Sequence, residues 1–210
     1  MRIIQRILMP EIFDVIAERF GDVAYALTTT SFFYGGAVRD FLAEKPLKGD
    51  LDIVVGPSYQ DIQALQQSIE DTFRQTVKRW SKRKLSGDYA DIPNLPVSEI
   101  TIYSDGNRGV DTQAIVCGKH GSFNTVIDDA LEFVASVDLV CCGVAVDCWG
   151  FLYEMVPGAI SDCKGHIVRP NLGVKLDKHR LEKRLEKFVR YRGWKEAPPK
   201  KMGYFDWENF

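Results

Sequence analysis

Residues 34–55, YGGAVRDFLAEKPLKGDLDIVV, decide the fold. The aromatic segment before them, Ser31–Tyr34, runs into two glycines and predicts a strand that ends in a tight turn. A short helix over residues 37–43 follows and stops before Pro46. Leu51–Val55 is β-branched, which predicts a second strand closed by a Gly-Pro pair. The stretch therefore predicts a strand, a Gly-Gly turn, a short helix and a strand, in that order.

The Gly-Gly turn has the features of a phosphate site. Gly35 and Gly36 would let the backbone approach an anion closely, and the free N–H groups of a helix start would point at it. Arg39, on the first turn of the predicted helix, would add a charge-assisted contact to a phosphate oxygen. The alternative is an ordinary tight turn without a ligand.

Two carboxylates enter the second strand. Asp50 and Asp52 flank Leu51, and residues two apart on a strand point to the same face. Two such acids repel each other unless a cation lies between them. Mg²⁺ prefers oxygen ligands and shares its shell with substrate phosphates, so the pair predicts a site for two Mg²⁺ ions and attack of a hydroxyl on a nucleotide phosphate. A solvated strand end is the alternative.

Together, GGAVRD and GDLDIVV resemble the signature of class II CCA-adding enzymes and bacterial poly(A) polymerases, within the DNA polymerase β superfamily. The resemblance implies an α+β nucleotidyltransferase head domain, with a mixed sheet, helices on one side and a helical C-terminal part. It implies Mg²⁺-dependent transfer of NMP from an NTP, ATP or CTP, to the 3′ end of a tRNA-like RNA. Two rivals stay open: nucleotidylation of a protein or small molecule, and a non-catalytic nucleotide- or RNA-binding module.

The resemblance continues over residues 137–168. Asp138 takes the position of an acid that the resemblance implies contacts the nucleotide sugar. Here the chain departs from the family pattern, because Ser136 and Val137 replace arginines and Cys142 or Gly143 replaces an asparagine.

The predicted helix over residues 176–191 resembles the family helix that reads the incoming base by its Watson–Crick edge. Asp177 and Arg180 have i, i+3 spacing and share a face, and Arg184 is the next candidate. A solvated helix with surface salt bridges is the alternative.

A third carboxylate is expected from the resemblance. Asp111 is the first candidate and would complete the catalytic set, while Glu99 on the preceding strand is the second and would serve as a metal ligand. The alternative is that neither reaches the metal and that Gln113, which shares a face with Asp111, marks a lost ligand.

Other segments follow from periodicity. Helices are expected over residues 10–20, 59–82 and 124–135, a hairpin joins strands 97–103 and Val110–Cys117, and the apolar run 139–146 is strand or helix. Residues 1–170 would form the head domain, with residues 171–210 as a basic helix and tail packed on it.

The composition sets limits on partners. The 210 residues are 45% hydrophobic and 27% charged, as in ordinary globular proteins, and the net charge is -2. Any electrostatic attraction for RNA must therefore come from local basic patches. The lysines and arginines within residues 74–84 and 183–195 form two such patches. A solvated helix face is the alternative for each.

Five cysteines fit no zinc spacing. Cys141 and Cys142 lie in an apolar run and are expected to be buried thiols. With no signal peptide or membrane span in the sequence, the prediction is a cytoplasmic protein.

Overall fold

The computed structural model describes residues 5–85, 97–118, 125–174 and 178–199. The strands of the large sheet are β1 Gln5–Leu8, β2 Ser31–Tyr34, β3 Leu51–Val55, β4 Trp80–Leu85, β5 Val97–Asp105, β6 Val110–Cys117, β7 Val144–Val146 and β8 Phe151–Glu154. A small sheet pairs β9 Ile167–Val168 with β10 Lys195–Glu196. The helices are α1 Ile12–Phe20, α2 Gly36–Leu42, α3 Tyr59–Thr76, α4 Val126–Ala135, α5 Ala159–Lys164 and α6 Lys178–Glu186.

The eight strands are ordered β1-β8-β7-β2-β3-β6-β5-β4. Only β3 and β6 run parallel within this sheet, and every other neighbouring pair is antiparallel. At the centre of the sheet, β3, the second strand predicted from residues 34–55, therefore lies against β6. The predicted α+β class and mixed sheet are confirmed.

Helices cover both faces of the sheet. On one face α3 presents Leu65, Ile69 and Phe73, which recur at four-residue spacing and pack into the larger apolar cluster. The same cluster takes in buried residues of α1 and α2. On the other face α4 buries Leu131 and Phe133 in a second cluster. The sequence predicted helices on one side of the sheet, whereas α4 packs on the other side.

The long helix predicted over residues 59–82 ends at Thr76, and its last part is strand β4 at the sheet edge. Trp80 packs against Phe73, with 5.9 Å between ring centroids, and the basic residues after it alternate between the two faces. Lysine-rich strands of this kind are common at sheet edges, where their charge opposes aggregation.

Other boundaries also differ from the prediction. The run 139–146 contains a 3₁₀ turn, Val140–Cys142, followed by β7. The predicted C-terminal helix is α6 followed by a π-helical turn, Lys187–Tyr191. The hairpin of β5 and β6 is confirmed. Residues 175–177 and 200–210, part of the predicted C-terminal unit, lie outside the described residues.

The cysteines are free thiols. Cys141 and Cys142 are buried as predicted. None of the helices in the described ranges is long and apolar enough to cross a membrane.

Candidate functional site

The Gly-Gly bend and the second aspartate lie against each other. Tyr34 is opposite Asp52 in the β2–β3 pair, so Gly35 follows directly beside that carboxylate. Gly35 has φ +66, and a Cβ built on it would be 3.4 Å from Asp52 Oδ2. The bend thus has a backbone conformation that favours glycine and leaves the carboxylate next to bare main chain.

Asp50 lies on the same face as Asp52, as alternation predicts. The parallel β3–β6 pair sets Gln113 opposite Asp52. Gln113 Nε2 donates a hydrogen bond to Asp50 Oδ2 over 2.8 Å. The structure therefore brings two carboxylates and one amide together beside the Gly35 bend.

The environment of Asp52 disfavours its charge. Burial and, after it, repulsion from Asp50 raise the pKa of Asp52 to about 7. Arg39 and Arg184 oppose this rise but do not cancel it. The carboxylate pair is therefore short of positive charge, which is the situation that a bound cation relieves.

Asp111 lies at the start of β6. Since the pairing is parallel and Leu51 is opposite Thr112, Asp111 falls at the register position of Asp50, on the same face as Gln113. Within residues 5–85, 97–118, 125–174 and 178–199, however, no three His, Cys, Asp or Glu side chains form a group able to hold a metal ion. The neighbour that contacts Asp50 is Gln113.

Glu99 was predicted as a metal ligand, and the structure contradicts this. Its side chain accepts a hydrogen bond from Gln66 on α3 over 2.7 Å and from Lys84 over 3.1 Å. It thus faces α3, whereas Val54, two residues after Asp52, packs in the α4 cluster on the other face. The physical reason is that alternation along β5 puts Glu99 on the sheet face that carries α3.

Arg39 was predicted to contact phosphate, and its guanidinium is instead inside the protein. The residue is 4% exposed, and its Nε and Nη2 both donate to Asp40 Oδ1, over 2.8 and 2.7 Å. Its Nη1 donates to Cys142 Sγ over 3.6 Å. Its guanidinium also lies over the Phe188 ring, 4.7 Å from the centroid. Arg39 therefore stabilises the fold around the bend, since its guanidinium is buried and already paired with Asp40.

Asp40 forms a buried junction that the sequence did not reveal. Arg192 Nη1 donates to both of its oxygens, over 2.7 and 2.8 Å, and the Lys48 N–H donates to Oδ2. One carboxylate thereby fixes α2 to the end of the C-terminal helix. Nothing in the Arg-Asp dipeptide signals a partner 152 positions away.

The predicted nucleotide residues of the C-terminal half do come together. Arg184 Nη1 lies 2.5 Å from Asp138 Oδ1, and Arg180 Nε lies 3.9 Å from Oδ2. Arg184 Nη2 also donates to Cys142 Sγ over 3.7 Å. Hydrogen bonding from Cys141 and the positive charges of Arg39 and Arg184 lower the pKa of Cys142. Asp177 lies outside the described residues.

Cys142 links this cluster to the aspartate pair. Its sulfur lies between Arg39 and Arg184 and acts on the charge of Asp52. Asp138, Arg180 and Arg184, here called the Asp138 group, therefore belong to the same electrostatic site as the Asp50–Asp52 pair. Asp50, Asp52 and the Gln113 amide form a donor set that fits Mg²⁺. Proteins bind this ion through one or two carboxylates, and substrate phosphates complete its shell.

Comparison with solved structures shows the fold. A CCA-adding enzyme of Thermotoga maritima, in complex with tRNA, matches 94% of this chain at 14% identity and a TM-score of 0.58. A complex of a CCA-adding enzyme with CTP matches 94% at 13% identity and 0.57, and a tRNA nucleotidyltransferase with a primer tRNA and an ATP analogue matches 89% at 14% and 0.50. The chain spans 43 to 46% of these proteins. No protein-family model and no curated protein matches the sequence.

Proposed function

We propose that this protein transfers NMP from an NTP to the 3′ hydroxyl of an RNA, using Mg²⁺ held by Asp50 and Asp52. The observation that carries the proposal is the contact between the Asp52 carboxylate and the Gly35 bend. A triphosphate lying on Gly35 and Gly36 would have its phosphates beside Asp50 and Asp52.

The metal site is assigned to this chain's own oxygens. Asp50 and Asp52 would hold two Mg²⁺ ions, and the Gln113 side-chain oxygen is available if the amide turns. Asp111, at the start of β6, is the proposed third carboxylate. When bound, Mg²⁺ would activate the acceptor hydroxyl and stabilise the leaving pyrophosphate.

The nucleotide is assigned to the Asp138 group. Arg184 and Arg180 would give charge-assisted contacts to the nucleotide, and Asp138 holds both guanidinium groups in position. Asp177 is proposed to act beside Arg180 in reading the base. Gly36 would keep the main chain close to the phosphates.

RNA is the proposed acceptor because the solved structures of this fold include complexes with tRNA, CTP and an ATP analogue. ATP and CTP are accordingly the proposed nucleotides. The free thiols fit a reducing, cytoplasmic setting.

A second candidate is a non-catalytic module that binds nucleotide or RNA. The observation that favours it is the neutral Gln113 opposite Asp52, in a site where the described residues supply no third carboxylate ligand. Such a site would bind NTP without releasing pyrophosphate.

The deciding experiment incubates the protein with Mg²⁺, each labelled NTP and separate pools of RNA, protein and small molecules. We expect label in the RNA pool, and a loss of at least about 100-fold with Asp50→Asn or Asp52→Asn, as when a group that acts in the transition state is removed. Asp71→Asn, an exposed acid on α3, is the matched control and should react like wild type.

Each other outcome has a meaning. Label in the protein or small-molecule pool would contradict RNA as the acceptor but support transferase activity. NTP binding without label in any pool would favour the non-catalytic candidate. Equal turnover by wild type and the Asp50 and Asp52 variants would contradict the proposal of metal-dependent transfer.

A further inference from the structure

The basic run at the sheet edge divides by face. In β4 the side chains of Lys82 and Lys84 point towards α3, where both are neutralised. Lys82 pairs with Glu70, and Lys84 Nζ lies 3.1 Å from the Glu99 carboxylate. The α3 face of this edge therefore offers little free positive charge.

Arg83 lies between these lysines and points to the opposite face. It is exposed and pairs with none of the carboxylates in the described part of the chain. Lys78 and Arg79, just before the strand, are likewise exposed and have no ion-pair partner among those carboxylates. Within the described residues, these three cations at one end of the sheet therefore have no carboxylate partner, in a chain whose net charge is -2.

Strand register connects this end to the aspartate pair. Arg83 is opposite Ile102, Ile102 is opposite Gln113, and Gln113 is opposite Asp52. Side chains in one such row share a face. Three strand spacings of about 4.8 Å put Arg83 about 14 Å from Asp52 along the row.

We propose that β4 is the docking edge for the single-stranded end of the RNA acceptor, with Lys78, Arg79 and Arg83 contacting its phosphates. The inference rests on the proposed function for the identity of the acceptor. It follows from charge complementarity, because Arg83 lies on the face that carries the aspartate pair, Lys78 and Arg79 directly precede the same strand, and the lysines on the other face are neutralised. The 3′ hydroxyl would lie towards Gln113 and Asp52.

The test compares two double variants of one strand region. Arg79→Gln/Arg83→Gln removes two cations from the proposed edge. Lys82→Gln/Lys84→Gln, the matched control, removes the same charge from the paired face. The measurement is fluorescence anisotropy of a labelled single-stranded RNA at several salt concentrations in EDTA without NTP, alongside NTP binding by each protein.

We expect the arginine variant to bind RNA about tenfold more weakly, with a salt slope smaller by about 1.4, since each phosphate contact to a single strand contributes about 0.7. The lysine variant should change affinity by less than about twofold, because its cations already have partners. Both should bind NTP like wild type. Arg83→Gln alone, with about half the change in slope, supports the same conclusion if the double variant does not fold.

Several results would overturn the proposal. Wild-type RNA affinity in the arginine variant would do so, as would equal losses in both double variants, which indicate bulk charge. Competition by poly-glutamate as strong as that by RNA would exclude a nucleic-acid edge. RNA binding in EDTA needs no turnover. If RNA binding depends on the arginines but no transfer is detected, the transferase proposal would be contradicted and the proposed docking edge on β4 supported.

Discussion

Gln113 donates a hydrogen bond from its side-chain amide to Asp50, with 2.8 Å between Nε2 and Oδ2. This amide stands opposite Asp52, in the strand position where a third acid would complete the carboxylate pair. The side chain that contacts Asp50 is therefore neutral. Such a site would offer a divalent cation less negative charge than three acids would supply.

Gln113→Glu should strengthen cation binding. A third carboxylate at this position should tighten Mn²⁺ binding about tenfold, or about 1.4 kcal/mol, by added attraction. Isothermal titration with Mn²⁺ measures this directly. Gln63→Glu, which adds the same charge at an exposed position on α3, should leave the affinity unchanged. Equal or weaker binding by the Gln113 variant would place the cation elsewhere.

Gly35→Ala should damage both stability and nucleotide binding. A side chain at φ +66, 3.4 Å from Asp52 Oδ2, should cost about 1–3 kcal/mol of unfolding free energy and block the approach of phosphates. Gly109→Ala is the control, because that glycine has φ +64 in the β5–β6 hairpin and nothing within 4 Å of its Cβ position. Denaturant unfolding and NTP titration should show loss of stability in both variants and loss of binding only at Gly35. Unimpaired NTP binding by Gly35→Ala would contradict the phosphate cradle.

Asp52→Asn should change how stability depends on pH in metal-free protein. The pKa of Asp52 is about 7 in the fold and near 3.8 when unfolded, so the folded state holds its proton more tightly. Its contribution is present below about pH 4 and is lost as pH rises through about 7. In EDTA at pH 8 the variant should be more stable than wild type by on the order of 2 kcal/mol, a difference that disappears towards pH 4. Parallel curves for the two proteins between pH 4 and 8 would show that Asp52 is not in a strained carboxylate pair.

Arg184→Gln should weaken nucleotide binding. Removing one charge-assisted contact should raise the KM for NTP about tenfold. Arg190→Gln breaks an exposed ion pair with Glu186, 2.7 Å long, near the end of the same helical segment and provides the control. Steady-state kinetics should find the KM changed at Arg184 alone. An equal KM in the two variants would leave the Asp138 group a purely structural ion pair.

The sequence predicted the centre of the site because that centre is local. Strand, turn, helix and strand follow one another within residues 31–55, and alternation alone puts Asp50 and Asp52 on one face. Gln113 could be placed beside them only as an alternative to Asp111, since the β3–β6 register depends on pairing between distant strands.

The wrong predictions share a different cause. The position of Arg39 on its helix does not indicate that Asp40 pairs with it, or that Phe188 and Arg192, from the far end of the chain, pack against the pair. Glu99 could not be assigned a sheet face without knowing that α3 packs over β5. Both errors concern tertiary contacts, which local patterns do not encode.

The most direct test of the carboxylate pair is anomalous diffraction from crystals grown with Mn²⁺ and a non-hydrolysable NTP. We expect manganese within about 2.2 Å of oxygens of both Asp50 and Asp52, with phosphate oxygens completing the shell against Gly35 and Gly36. Manganese at another position, with the triphosphate away from the glycine bend, would contradict the account.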